Sequence, residues 1–209
     1  MHALFRGASV IPVLTIDRER DAVPLARALF EGGLKVIEIA LRTPAAAAAL
    51  AAIARELPQV VVGAGTLLRA ADVGRAVRAG ARFLVSPGMT AELAASALAT
   101  ELPYLPGVAT PSEVMAARAL GICVMKLFPA EALGGIGFLR ALAPVFPGVA
   151  FCPTGGVDER GAGDYLALAN VPFVGGSWMA PRDAVLAGDW ARVRRLAERA
   201  AAIGRAEAA

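Results

Sequence analysis

The sequence predicts an α/β protein of the (β/α)8 TIM-barrel class, a single domain over residues 1–209, and three observations lead there. Short runs rich in β-branched residues alternate with Ala-, Leu- and Arg-rich helical stretches along the whole chain. Regular β-then-α alternation implies parallel strands joined by right-handed crossovers. Eight such units within 209 residues suit a small barrel, with a doubly wound open sheet as the alternative. No linker or composition break divides the chain, and no repeat is evident beyond the βα rhythm.

Strands are expected at 10–14, 35–41, 60–63, 83–86, 104–105, 123–128, 150–153 and 173–174. Helices are expected near 21–31, 44–56, 70–79, 90–98, 111–119, 137–143 and 159–168, with a long terminal segment after Pro181. Thr43-Pro44 and Thr110-Pro111 each set a capping hydroxyl before a proline suited to the first helical position. Gly32-Gly33, Gly80 and Gly121 stand where helices should end and a positive φ is often required.

Composition narrows the function classes. With 57% hydrophobic and 19% charged residues the chain is globular rather than disordered. No apolar run approaches the roughly 18–20 residues of a spanning helix, so no membrane partner is expected. The apolar stretch 8–16 is short, broken by Pro12 and followed by Asp17-Arg18 without a small-residue cleavage site. It is not read as a signal peptide, and the cytoplasm is the expected location. Arg192, Arg194, Arg195 and Arg199 alternate with Leu and Ala in a helical pattern, which favours a solvated face over a nucleic-acid patch. Cys123 and Cys152 share no metal-ligand spacing and lie in apolar runs, so both are expected to be buried free thiols. The chain has nineteen arginines but only two lysines, Lys35 and Lys126, and one histidine, His2, at the terminus.

Lys126 lies in an otherwise apolar strand, and both faces of a parallel strand are usually buried. Burial without a partner either costs several kcal/mol or favours the neutral amine, which can attack a carbonyl. Arginine cannot do this, because its guanidinium does not deprotonate in proteins. A buried ion pair is the alternative reading. Glu38 lies inside a second apolar strand, where period-two alternation puts Val36, Glu38 and Ala40 on one face. Schiff-base chemistry needs a proton shuttle, and with histidine effectively absent a buried carboxylate is the candidate. Neutralising Lys126 or Arg42 is the alternative role for Glu38. Arg42, just beyond that strand, presents a donor fork suited to a carboxylate. Gly155-Gly156 and Gly175-Gly176 follow the seventh and eighth strands, where bare amides make an anion site in barrels. Gly63 to Thr66 and Ser86 to Gly88 close the third and fourth strands and let backbone approach a ligand.

Together, Glu38 to Thr43 (EIALRT), Gly63 to Thr66 (GAGT), Ser86 to Gly88 (SPG), Lys126 to Ala130 (KLFPA), Cys152 to Gly156 (CPTGG) and Gly175 to Trp178 (GGSW) resemble the 2-keto-3-deoxy-6-phosphogluconate (KDPG) / 4-hydroxy-2-oxoglutarate (KHG) aldolase family. The resemblance runs from Ile11 to Trp190. It implies a trimeric class I aldolase, a carbon–carbon lyase without metal or organic cofactor, acting on a small-molecule 2-keto acid. By that analogy Lys126 forms the Schiff base and Glu38 shuttles protons. Arg42 and Thr66 hold the pyruvyl carboxylate, Pro87 and Phe128 pack around the ketoacid, and Thr154 lines the pocket. Gly155, Gly156, Gly176 and Ser177 take the distal phosphate. Some relatives carry a basic residue near the end of strand one, where this chain has Leu14-Thr15-Ile16, with Arg18 nearby.

Three other readings stand beside this one. A metal-dependent phosphosugar epimerase needs histidine and aspartate ligands on strands, which are lacking here. A phosphosugar-binding barrel without chemistry needs neither the strand lysine nor the strand glutamate. A 2-keto-3-deoxy-6-phosphogalactonate aldolase differs only in stereochemistry at one carbon, which sequence does not show.

Overall fold

Strand and helix alternate through residues 3–203, the part of the chain described by a computed structural model. The order is β1 (Val10–Leu14), α1 (Ala22–Glu31), β2 (Val36–Ala40), α2 (Ala46–Glu56), β3 (Val61–Gly65), α3 (Ala70–Arg78), β4 (Leu84–Val85), α4 (Ala91–Leu98) and β5 (Tyr104–Leu105). There follow β6 (Gly107–Val108), α5 (Pro111–Ala119), β7 (Val124–Leu127), α6 (Gly135–Leu142), β8 (Ala150–Pro153), α7 (Ala162–Leu166), β9 (Val174–Gly176), α8 (Arg182–Ala187) and α9 (Trp190–Ala202). The strand pairings are all parallel. They form an α/β half-barrel with one six-stranded sheet, β5-β4-β3-β2-β1-β9, and one three-stranded sheet, β6-β7-β8.

The expected fifth strand is longer than 104–105. It continues as β6, and the two halves are separated only by Pro106, which has no N–H for the ladder. At the other junction Thr154, just past β8, bridges Gly175 of β9. The expected third strand was also too short, since β3 runs on through two glycines to Gly65. Those glycines make room for neighbours: a Cβ on Gly63 would collide with the Phe83 ring, and one on Gly65 with the Glu38 carboxylate.

Two packing clusters set the site's position. Helix faces such as Leu25, Leu29, Leu50 and Ile53 bury against the outer strand residues Ile37, Ile39 and Val62. A smaller cluster of Phe5, Ile11, Val36, Phe83, Val85, Leu105, Cys152 and Phe173 forms a second apolar core. Phe5 stands edge-on to Phe83 and stacked on Phe173, each with centroids 5.2 Å apart. Glu38 follows Val36 on the same face of β2, one level nearer the C-terminal strand ends.

Helix boundaries divide on capping. Thr110 caps α5 as expected, its hydroxyl accepting from the Glu113 amide while Glu113 accepts from the Thr110 amide in return. Thr43 does not cap α2, which begins at Ala46; its hydroxyl donates instead to the Ile16 carbonyl. Gly33, Gly80 and Gly121 have positive φ at helix ends, as expected. Among the described residues no helix is long and apolar enough to cross a membrane. Arg192, Arg194 and Arg199 pair with Asp183, Glu198 and Glu159 on the α9 surface.

Candidate active site

Lys126 on β7 and Glu38 on β2 meet across the two sheets, with Nζ 3.3 Å from Oε1. Only 3% of Lys126 and 4% of Glu38 is exposed, and among the described residues this is the one ion pair with both partners buried. A buried pair is poor value for stability, since its desolvation often exceeds the Coulombic gain and apolar residues of similar size do as well. Lys126 is the third of four residues in β7 and Glu38 the third of five in β2, so both stand beneath the C-terminal strand ends where parallel α/β proteins keep their chemistry. Register explains the geometry. Lys126 lies opposite Gly107 on one side and Cys152 on the other, and Glu38 lies between Val13 and Gly63. Both glycines admit close neighbours where a Cβ would not fit, the Pro87 carbonyl at Gly107 and the Phe83 ring at Gly63.

Cys152 is buried, and that burial pushes its thiol up to about 12, outweighing the opposing pull of the Lys126 charge. The thiol therefore stays protonated near neutral pH and does not compete as a nucleophile. Cys123, expected to be buried, is exposed because it precedes β7 rather than lying within it. Native protein at neutral pH should accordingly react with iodoacetamide at Cys123 alone, with Cys152 labelled only after unfolding; peptide mapping of both samples decides, and native labelling of Cys152 would contradict its burial.

The other sequence-predicted residues ring the same strand ends. Arg42 follows β2 and Thr66 follows β3, and Arg42 Nε donates to Thr66 Oγ1 at 3.0 Å. Thr66 has φ 60°, a left-handed conformation uncommon for a β-branched residue. Pro87 follows β4 in a turn held by Ser86, whose hydroxyl donates to the Gly88 carbonyl at 2.6 Å. Tyr104 must then donate to Ser86 Oγ, 2.7 Å away. The Phe128 ring centroid lies 5.4 Å from Lys126 Nζ, within cation–π range. Thr154 is buried and donates to the Cys152 carbonyl at 3.3 Å, resting on Gly175, where a Cβ would strike its hydroxyl. Gly155 and Gly156 have φ 97° and 88°, while Gly176 ends β9 and Ser177 beyond it is exposed. His2 lies outside the described residues.

Sequence reasoning missed Glu131, one residue past the KLFPA segment. Its amide donates to the Gly155 carbonyl at 3.0 Å, and its carboxylate accepts from the Tyr165 hydroxyl at 2.5 Å. Its side chain also fills the space a Cβ on Gly156 would need. Glu131 thus ties down the Gly155-Gly156 turn. A partner 34 residues away gave no local signal. Among the described residues no group of three or more His, Cys, Asp or Glu could hold a metal ion.

A family model described as KDPG and KHG aldolase matches residues 1–196. The chain belongs to the KDPG and KHG aldolase family. Within it, a 2-dehydro-3-deoxy-phosphogluconate aldolase of Pseudomonas aeruginosa is 49% identical over 197 residues, covering 94% of this chain and 90% of the relative. A KDPG aldolase structure from Legionella pneumophila, with pyruvate captured as a covalent carbinolamine, superposes with TM-score 0.91 at 44% identity and covers 94% and 95% of the two chains. The KDPG aldolase of Zymomonas mobilis with 3-phosphoglycerate gives TM-score 0.92 at 45% identity, covering 99% of this chain and 97% of the other. The resemblance seen in the six motifs thus extends over nearly the whole chain.

Proposed function

We propose that this protein is a class I aldolase that cleaves KDPG to pyruvate and D-glyceraldehyde 3-phosphate, and KHG to pyruvate and glyoxylate, through a Schiff base on Lys126. The carrying observation is the buried contact of 3.3 Å between Lys126 and Glu38. Transfer of the ammonium proton to Glu38 frees the amine, whose nitrogen attacks the C2 carbonyl carbon to give a carbinolamine. Glu38 returns the proton as water leaves, and the protonated imine forms. Arg42 and Thr66 hold the C1 carboxylate, already joined to each other through one hydrogen bond. Glu38 then accepts the C4 hydroxyl proton, directly or through a water. The C3–C4 electron pair moves into the imine to give an enamine, and the aldehyde departs. Protonation at C3 and addition of water release pyruvate and the lysine. Phe128 and Pro87 enclose the ketoacid, Phe128 keeping its ring near the cationic nitrogen throughout. Thr154 lines the pocket, and Gly155, Gly156, Gly176 and Ser177 present the phosphate site.

We also infer that the two sheets close into a (β/α)8 barrel in one domain. The support is the continuity of β5 with β6 and the Thr154–Gly175 bridge from β8 to β9. We take the enzyme to work as a homotrimer in the cytoplasm. Leu68 and Met115, 60% and 63% exposed, are apolar side chains that self-association would cover.

Borohydride reduction in the presence of pyruvate tests the mechanism. The expected product is pyruvate reductively trapped on the peptide containing Lys126. Trapping elsewhere, or none, overturns the proposal. Turnover on KDPG, its galactonate-derived epimer and KHG then assigns the substrate.

A further inference from the structure

A cleft of about 240 Å³ opens beside the C-terminal ends of β1 and β9, lined by Thr15 and Asp17 on one side and Ser177 and Arg182 on the other. Two arginines reach this neighbourhood and are held very differently. Arg18 donates from Nε to Asp21 at 2.6 Å and from a second nitrogen to the Val185 and Leu186 carbonyls at 3.5 and 3.0 Å. Those bonds fasten it to the edge of α8. Arg182, among the described residues, bonds only to Asp17, placing two nitrogens on the single oxygen Oδ2 at 3.2 and 3.1 Å. Its side chain is 79% exposed. An exposed pair of this kind holds its partners weakly, and the guanidinium fork matches a phosphate as well as a carboxylate.

We propose that Arg182 determines this chain's preference for a phosphorylated substrate tail, leaving Asp17 to take the phosphate when substrate binds. The proposal rests on the aldolase reading above and names the charged partner of its distal subsite. With the C1 carboxylate at Arg42 and C2 at Lys126, the far end of the substrate points away from the strand core. The glycine turns after β8 and β9 offer amides there but no full positive charge, and Thr15 at the end of β1 is uncharged. Ser177, placed at the phosphate site, lines the same cleft as Arg182. A phosphate monoester carries nearly two negative charges near neutral pH and so displaces the singly charged Asp17. When the cleft is empty, Asp17 keeps Arg182 positioned at its rim.

The test compares steady-state kinetics on KDPG and on unphosphorylated 2-keto-3-deoxygluconate for wild type, Arg182→Ala, Arg182→Lys and Asp17→Asn. Loss of one charge-assisted contact predicts that Arg182→Ala raises KM for KDPG about tenfold or more, with the change on KM rather than kcat and with KM for the unphosphorylated substrate following far less. Arg182→Lys should recover part of the loss. Asp17→Asn, which removes the competing carboxylate, should lower KM for KDPG. Equal changes for both substrates in Arg182→Ala, or a raised or unchanged KM for KDPG in Asp17→Asn, would overturn the proposal. Trapping of wild type with pyruvate uses no phosphate. Its failure would strike the aldolase reading, whereas successful trapping with an unaltered Arg182→Ala would strike only the assignment of Arg182.

Discussion

Lys126→Arg should abolish aldol cleavage below detection while the protein remains folded. A guanidinium keeps its proton and cannot condense with a ketone, so the covalent route closes completely. The charge opposite Glu38 is retained, which avoids the cost of about 3–5 kcal/mol expected when one partner of a buried pair is deleted. The larger head group overpacks a site that is only 3% exposed, at a cost of about 1–3 kcal/mol. That fits within the roughly 5–15 kcal/mol stability of a typical domain. Cleavage of KDPG, pyruvate trapping and circular dichroism together check the expectation. Substantial turnover in a folded variant would remove Lys126 from the nucleophile's role.

Gly65→Ala should be nearly as damaging, although the residue makes no bond to substrate in the proposed scheme. A methyl there occupies the position of Glu38 Oε1, so the carboxylate must swing away from Lys126. Loss of a positioned proton shuttle predicts a fall in turnover on the order of 10²–10⁴-fold. Gly63→Ala is the matched control. It lies two residues back on the same face of β3 and meets the Phe83 ring instead, so it should lower stability without moving the carboxylate. Proton exchange at the pyruvate methyl, measured per folded molecule, separates the two. If Gly65→Ala exchanges at the wild-type rate, Glu38 does not carry the proton.

The features legible in the sequence were those whose cause is local or periodic. Lys126 and Glu38 stood out as charges in apolar strands, and alternation alone put Glu38 on the face of Val36. Positive-φ glycines at helix ends and the Thr110 cap followed from stereochemistry within one turn. Long-range demands were hidden. The end of β3 looked like a turn because its glycines are chosen for Phe83 and Glu38, which are distant in sequence. Thr43 had the form of a helix cap, yet its hydroxyl serves the Ile16 carbonyl, 27 residues away. Pro106 divides what would otherwise read as one strand. Arg182 and Asp17 are separated by 165 positions, and no spacing rule connects them.

The amine and carboxylate belong to strands in different sheets, 88 residues apart along the chain. A growing polypeptide that has completed the five strands β1 to β5 therefore owns the proposed base without the proposed nucleophile, and its six-stranded sheet still lacks β9. Ketoacid capture requires both halves to have docked in register, so covalent labelling by pyruvate doubles as a chemical stopwatch for the last stage of refolding.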